Sequence, residues 1–129
     1  MSISIRQNEA SALRLTAVAA GHELALDMPA PEGEGPDPHD YFDTALGGCK
    51  AMTVLLYARR KGYPLDKVTV NVERDSSRER AGVYGLTVTL TLEGDLDDAQ
   101  RQDLLTIADR CPIHKLMTQS EIEVSTRLA

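Results

Sequence analysis

The sequence predicts an α+β domain with antiparallel sheets and a long central helix, in the order β-β-α-β-β-α-β. Three observations predict it. Alternation of period two is clean over 86-LTVTLTLEG-94, where Leu86, Val88, Leu90 and Leu92 alternate with threonines and then a glutamate, as in a strand half buried and half wet. A helix-length run follows a proline-rich loop that cannot itself be regular structure. The first four strand-like runs come in pairs across turns, which is the pattern of hairpins.

The first pair is 12-ALRLTAV-18 and 22-HELALDM-28, with Leu13, Leu15, Leu24 and Leu26 supplying the alternation and 20-AGH-22 the turn. The segment 29-PAPEGEGPDPHD-40 holds four of the six prolines and is the one long loop; such length is uncommon unless functional or mobile. Asp37 is the expected cap of the central helix, with Pro38 in its first turn, and Gly62 and Pro64 end it. Along that helix Phe42, Ala45, Cys49, Met52, Thr53 and Leu56 recur at helical spacing and are expected to face the rest of the fold. The runs 68-VTVNVER-74 and 86–94 form the second hairpin through the charged turn 75-DSSRERAG-82. A second helix is expected over 96–110, starting after Asp95, with Leu104, Ile107, Ala108 and Cys111 on one face. Pro112 breaks it or restarts it as a new turn with Cys111 at the cap. A closing strand is expected at 121-EIEVSTRL-128, and residues 1–129 are read as a single domain.

Composition limits the functions open to such a chain. Its 42% apolar and 26% charged residues are those of a globular protein, and no apolar run nears the ~20 residues of a membrane span. The start MSISIRQNEA lacks the basic and apolar regions of a secretion signal, so a cytoplasmic location is expected, with no membrane partner. The net charge is 14 − 20 = −6, and the one basic cluster, 59-RRK-61, sits where a helix C-terminus favours cations. Nucleic-acid binding is therefore not expected.

Two cysteines in a chain with no secretion signal are either unrelated small hydrophobes or a redox, catalytic or metal-binding pair. Cys49 follows Gly47 and Gly48, each of which costs a helix interior roughly 1 kcal/mol relative to Ala. Missing side chains there either leave a gap beside the sulfur for a substrate or another chain, or let a neighbouring element pack tightly. Cys111 stands directly before Pro112, where the free N–H groups of a new helix would favour its thiolate. His114, three residues on, is a source of positive charge or a proton, or else a solvated residue near a helix end. A Cys-Cys-His metal site has no evident fourth ligand, and neither C-x-x-C nor H-x₃-H spacing occurs, so no metal is expected.

The runs 36-GPDPHDYFDTALGGCKAMTVLLYARRKGYPLDKVTV-70 and 94-GDLDDAQRQDLLTIADRCPIHKLM-117 together resemble the OsmC/organic hydroperoxide resistance family, in its generic OsmC-like branch, over roughly residues 22–128. The resemblance rests on GP-x-P, a helix with G-x-C-x-x-MT, and a distant CP-[IV]-H. It implies an intertwined homodimer with sites at the subunit interface, acting as a thiol peroxidase. Cys49 falls on the peroxidatic position and Cys111 on the resolving one, forming an intramolecular disulfide that a dithiol, such as a dihydrolipoyl protein, reduces; no metal, haem or flavin cofactor is needed. In the hydroperoxide-specific branch a glutamate follows the Pro of the helix start; here that position is His39, and the acid comes next, as Asp40. Asp40 is thus the candidate for orienting an activating arginine from an early strand, often the partner's, with Arg14 the nearest and Arg6 the alternative. Gly47, Gly48, Met52 and His114 are the candidate binding residues.

Two other classes are compatible with the same residues. One is a non-enzymatic stress or ligand-binding protein that holds an apolar molecule beside Gly47 and Gly48. The other is an acyl-transfer or thioesterase-like enzyme with Cys49 as nucleophile, for which His39 or His114 would be the base.

Overall fold

Eight regular elements and one short 3-10 turn run through the computed structural model, which describes all 129 residues: β1 Ser4–Gln7, β2 Leu15–Ala19, β3 His22–Leu26, α1 Pro38–Lys61, β4 Leu65–Asp75, β5 Gly85–Gly94, α2 Asp98–Ala108 and α3 Pro112–Gln119. They fall into two compact units, Met1–Phe42 and Asp43–Ala129. The class is the α+β one expected, with every strand pairing antiparallel.

In the first unit β2 is the middle strand of three, in the order β1-β2-β3. Ala20 and Gly21 both have positive φ, 51° and 80°, so the expected hairpin closes through a two-residue turn whose twist matches its strands. β1 was not foreseen, because its four residues are all exposed and carry no apolar alternation. Leu13, expected in a strand, lies outside β2 and is exposed. The long loop ends at the expected cap. The Asp37 carboxylate accepts the Asp40 N–H at 2.9 Å, and the Asp40 carboxylate accepts the Asp37 N–H at 2.9 Å, a reciprocal capping box at the start of α1.

In the second unit the sheet is the hairpin β4–β5, with Val68, Val70 and Val72 opposite Leu92, Leu90 and Val88. Valines and leucines turn to one face while the β5 threonines are exposed, as the alternation requires. The other end of α1 closes with Gly62 at φ 70°, whose N–H reaches the Arg59 carbonyl while the Tyr63 N–H reaches that of Ala58. α2 begins two residues later than expected. Of the aspartates in 95-DLDD-98, only Asp97 has a Gln three residues on, and that Gln100 completes a capping box. α3 restarts at Pro112 with Cys111 as its cap, as anticipated. Val54 and Ala58 of α1 meet Leu96, Leu104 and Ala108 in the core of this unit.

Two expectations are corrected. Residues 121–128 form no strand; Ile122, Val124 and Leu128 are exposed, because a strand needs an edge to pair with and neither sheet of the chain takes this segment. The side of α1 buried by its own chain is also a different one: Asp43, Leu46, Gly47, Lys50, Val54 and Ala58 are buried, whereas Phe42, Met52 and Leu56 are exposed. α1 is apolar on two sides, so periodicity alone could not tell which one the sheet would cover.

Candidate functional site

The two cysteines are neighbours in the fold. Cys49 is half-buried on α1, 62 residues before Cys111, near enough for its thiol to act electrostatically on that of Cys111. Both are free thiols. Cys111 is placed by the break between α2 and α3. Pro112 cannot continue α2 and is suited to the first turn of α3, which leaves Cys111 extended at the cap with its Sγ accepting the His114 N–H at 3.3 Å.

That contact was expected to favour the Cys111 thiolate, and the structure corrects the net direction. Cys111 has no exposed surface, and burial pushes its thiol up; the His114 N–H and the Lys50 charge pull it down, while Cys49 adds to the rise. The proton therefore stays with the buried sulfur.

Lys50, the residue after Cys49, is the site member that the sequence reading passed over. Only 3% of it is exposed, and its Nζ donates to the Ala108 carbonyl at 3.0 Å, to Asp109 Oδ1 at 3.1 Å, and to His114 Nδ1 at 2.8 Å. An ammonium has three protons, and here there are three acceptors. Removing an unpaired ammonium from water costs several kcal/mol, so this set of partners is what permits the burial. The Ala108 carbonyl belongs to the last turn of α2, where a cation is favoured. Lys50 thus ties α1 to the end of α2 and to α3, the segments that carry the two sulfurs. One signal for it exists in the sequence: Leu46, Lys50, Val54 and Ala58 recur every four residues, with a lysine set in an apolar row.

His114 is accordingly not a source of positive charge in this arrangement. Lysine only donates, so Nδ1 must accept, which by hydrogen-bond logic assigns the ring proton to Nε2.

The glycines before Cys49 have separate reasons. A Cβ on Gly47 would come within 2.8 Å of Val72 Cγ2, so of the two alternatives this glycine takes tight packing, letting α1 approach β4. A Cβ on Gly48 would meet nothing within 4 Å, so the open space next to the sulfur is at Gly48 alone. Met52, one turn beyond Cys49, is exposed. Arg14 reaches Glu34 at 3.4 Å and Arg6 reaches Glu23 at 3.3 Å, both pairs exposed, while Asp40 serves the capping box and His39 lies 3.8 Å from Asp37. The second unit has an arginine–carboxylate pair that sequence reading missed: Arg74 Nε donates to the buried Asp43 at 2.6 Å, and Tyr84 donates to the same carboxylate at 2.9 Å. No group of three or more His, Cys, Asp or Glu side chains is arranged to hold a metal ion, and no helix is long and apolar enough to cross a membrane.

The family model for OsmC-like protein matches residues 31–127. Among solved structures, an OsmC-like protein from Mycoplasma pneumoniae is similar at 22% identity, covering 92% of this chain and 86% of that one, with a TM-score of 0.75. The organic hydroperoxide resistance protein OhrB of Bacillus subtilis is similar at 21% identity, covering 92% of each chain, with a TM-score of 0.61. An organic hydroperoxide resistance protein OsmC from Legionella pneumophila is similar at 20% identity over 92% and 90% of the two chains, also with a TM-score of 0.61. At these identities the likeness establishes the fold. No curated protein matches the sequence.

Proposed function

The chain belongs to the OsmC-like protein family, and from that premise we propose that it is a thiol-dependent peroxidase acting on organic hydroperoxides, with hydrogen peroxide as a further substrate. The single observation that carries the reading is the nearness of Cys49 to Cys111, two thiols brought together from 62 residues apart. Cys49, half-buried and next to the open backbone at Gly48, is the sulfur a peroxide reaches. Its thiolate attacks the O–O bond, takes one oxygen as a sulfenic acid, and releases the alcohol. The Cys111 sulfur then attacks the sulfenic sulfur, the S–O bond breaks, and the Cys111 proton leaves with the hydroxyl as water. A dithiol, with a dihydrolipoyl protein as a suitable source, returns the disulfide to two thiols by exchange. The reducing cytoplasm suits such a cycle.

The same reading includes an intertwined homodimer. It is supported by the exposed apolar side of α1 at Phe42, Met52 and Leu56, and by the alternating Ile122, Val124 and Leu128, which have no strand partner in their own chain. In that assembly Arg14, or Arg6, and Asp40 are the candidates for activating Cys49. Acyl transfer is less well served, because the His114 nitrogen facing Lys50 is already an acceptor.

Intact mass after one equivalent of cumene hydroperoxide tests the chemistry. Wild type should lose two hydrogens and recover them with a dithiol, Cys111→Ser should gain one oxygen, and Cys49→Ser should not change. A wild type that stays reduced for minutes would sink the peroxidase reading and favour the ligand-binding one.

A further inference from the structure

A buried cation lies beside the two sulfurs, and the reaction scheme above gives it no part. All three protons of the Lys50 ammonium are committed, to the Ala108 carbonyl, Asp109 and His114. It has none to hand to a sulfur or a leaving oxygen, so its action there is by charge.

Charge is needed at Cys111. With no exposed surface, a thiolate forming on that sulfur has one backbone N–H, that of His114, in place of hydration. The ionisable groups around it are Cys49 and Lys50 from α1, Asp109 at the end of α2, and His114 from α3. Arg110, although adjacent in sequence, acts on the Asp103–Tyr57 pair. Among the groups around the sulfur Lys50 is the cation, and Asp109, whose side chain is 72% exposed, is the anion that offsets it. The His114 ring accepts from Lys50 and holds it in place.

We propose that Lys50 is a positioning residue for the resolving sulfur: an ammonium immobilised by the Ala108 carbonyl, Asp109 and His114 supplies the positive field in which the Cys111 thiolate forms. The proposal rests on the reading of Cys49 and Cys111 as a redox pair. The step it serves is the attack of Cys111 on the sulfenic sulfur of Cys49, with water as the product that carries off the oxygen and the thiol proton. Because the same ammonium bridges α1, α2 and α3, the charge and the alignment of the two sulfurs are delivered together.

An ultraviolet thiolate titration of Cys111 in a Cys49→Ser background tests this, with the variant lacking both cysteines subtracted to remove the tyrosines. Three proteins are compared: Lys50 intact, Lys50→Met and Asp109→Asn. Met keeps an unbranched stem and removes the charge; Asn keeps the oxygen acceptor and removes the counter-charge. Lys50→Met is expected to move the Cys111 midpoint upward, lowering the thiolate fraction at a given pH about tenfold, equivalent to about one pH unit. Asp109→Asn is expected to move it downward, by less, because an exposed charge is screened. Loosened packing alone would hydrate the sulfur in both variants and move both midpoints the same way. Opposite shifts therefore support the proposal, and coincident or parallel midpoints overturn it. Where Lys50→Met does not fold, Asp109→Asn decides alone: a downward shift supports the field, and no shift overturns it. The titration contains no peroxide. A wild type that stays reduced under peroxide removes the peroxidase reading, whereas midpoints that fail to separate remove the role of Lys50.

Discussion

On one side of α1 lie Asp43, Leu46, Gly47, Lys50, Val54 and Ala58, all buried and two of them charged; on the other lie Phe42, Met52, Leu55 and Leu56, all apolar and exposed. By hydrophobicity alone the second side would be the inside. The first is inside because the rest of the unit offers partners to its charges. Asp43 meets Arg74 and Tyr84, and Lys50 meets three acceptors. A helix can bury charge where its neighbours satisfy it, and it leaves apolar surface in water where its own chain covers it only in part.

The largest effect should come from removing a charged residue of the inner side. Asp43→Ala takes the shared acceptor from Arg74 and Tyr84 and should lower the unfolding free energy by about 3 kcal/mol, at the low end for a broken pair because the Arg74 side chain is 32% exposed. Urea unfolding measures it, and a loss below about 1 kcal/mol would mean that packing rather than the pair holds this side of the helix.

High pH attacks the same side without mutation. Tyr84, half-buried and hydrogen-bonded to Asp43, is pushed up to about 12, and Tyr63, hydrogen-bonded to Asp103, is also pushed up to about 12. A folded value above the unfolded one means that the stability these hydroxyls contribute is complete below pH ~10 and is lost as pH rises from about 10 to 12. Melting temperature should fall steeply in that window, and the combination Tyr63→Phe and Tyr84→Phe should flatten the fall. At the acid end the sign reverses. The tyrosine hydroxyls hold the Asp103 carboxyl below its usual range, so its contribution is present above pH ~4 and lost below.

The adjacent glycines allow a finer comparison. Gly47→Ala gains about 1 kcal/mol of helix propensity but forces a Cβ to 2.8 Å from Val72, and overpacking of about 1–3 kcal/mol should leave a net loss near 1. Gly48→Ala meets nothing and should be neutral or stabilising by up to about 1 kcal/mol. If peroxide approaches Cys49 there, Gly48→Ala should also slow its oxidation while the melting temperature holds or rises. Equal losses of stability at both positions would remove the distinction between a packed and an open glycine.

The smallest effect on the fold of the chain itself should come from the outer side. Met52→Lys with Leu56→Lys should change that stability by no more than about 0.5 kcal/mol, since both residues are exposed. Its effect should instead be on assembly, converting a dimer to a monomer in sedimentation. A wild type that is monomeric under the same conditions would count against the intertwined dimer.

Local chemistry was legible before folding. The Asp37 cap with Pro38, the Gly62 stop, the turn at 20-AGH-22, the β5 alternation, and the restart of a helix at Pro112 with Cys111 as cap depend on residues close in sequence, so reading them requires no distant contact. The failures share a cause. β1 and residues 121–128 turn on which edge is available, the buried side of α1 on which element covers it, and the direction at Cys111 on burial outweighing a nearby N–H.

The sequence alone thus determined the three helices, the strands of the two hairpins, the caps and the two sulfurs, because capping, periodicity and proline geometry act within a few residues. Only the tertiary structure decided that the two thiols are neighbours, that Gly47 is packed while Gly48 is open, and that a lysine beside Cys49 is buried. Each of these depends on groups brought together from far along the chain, as when Ala108, Asp109 and His114 converge on Lys50 and let a charge leave water.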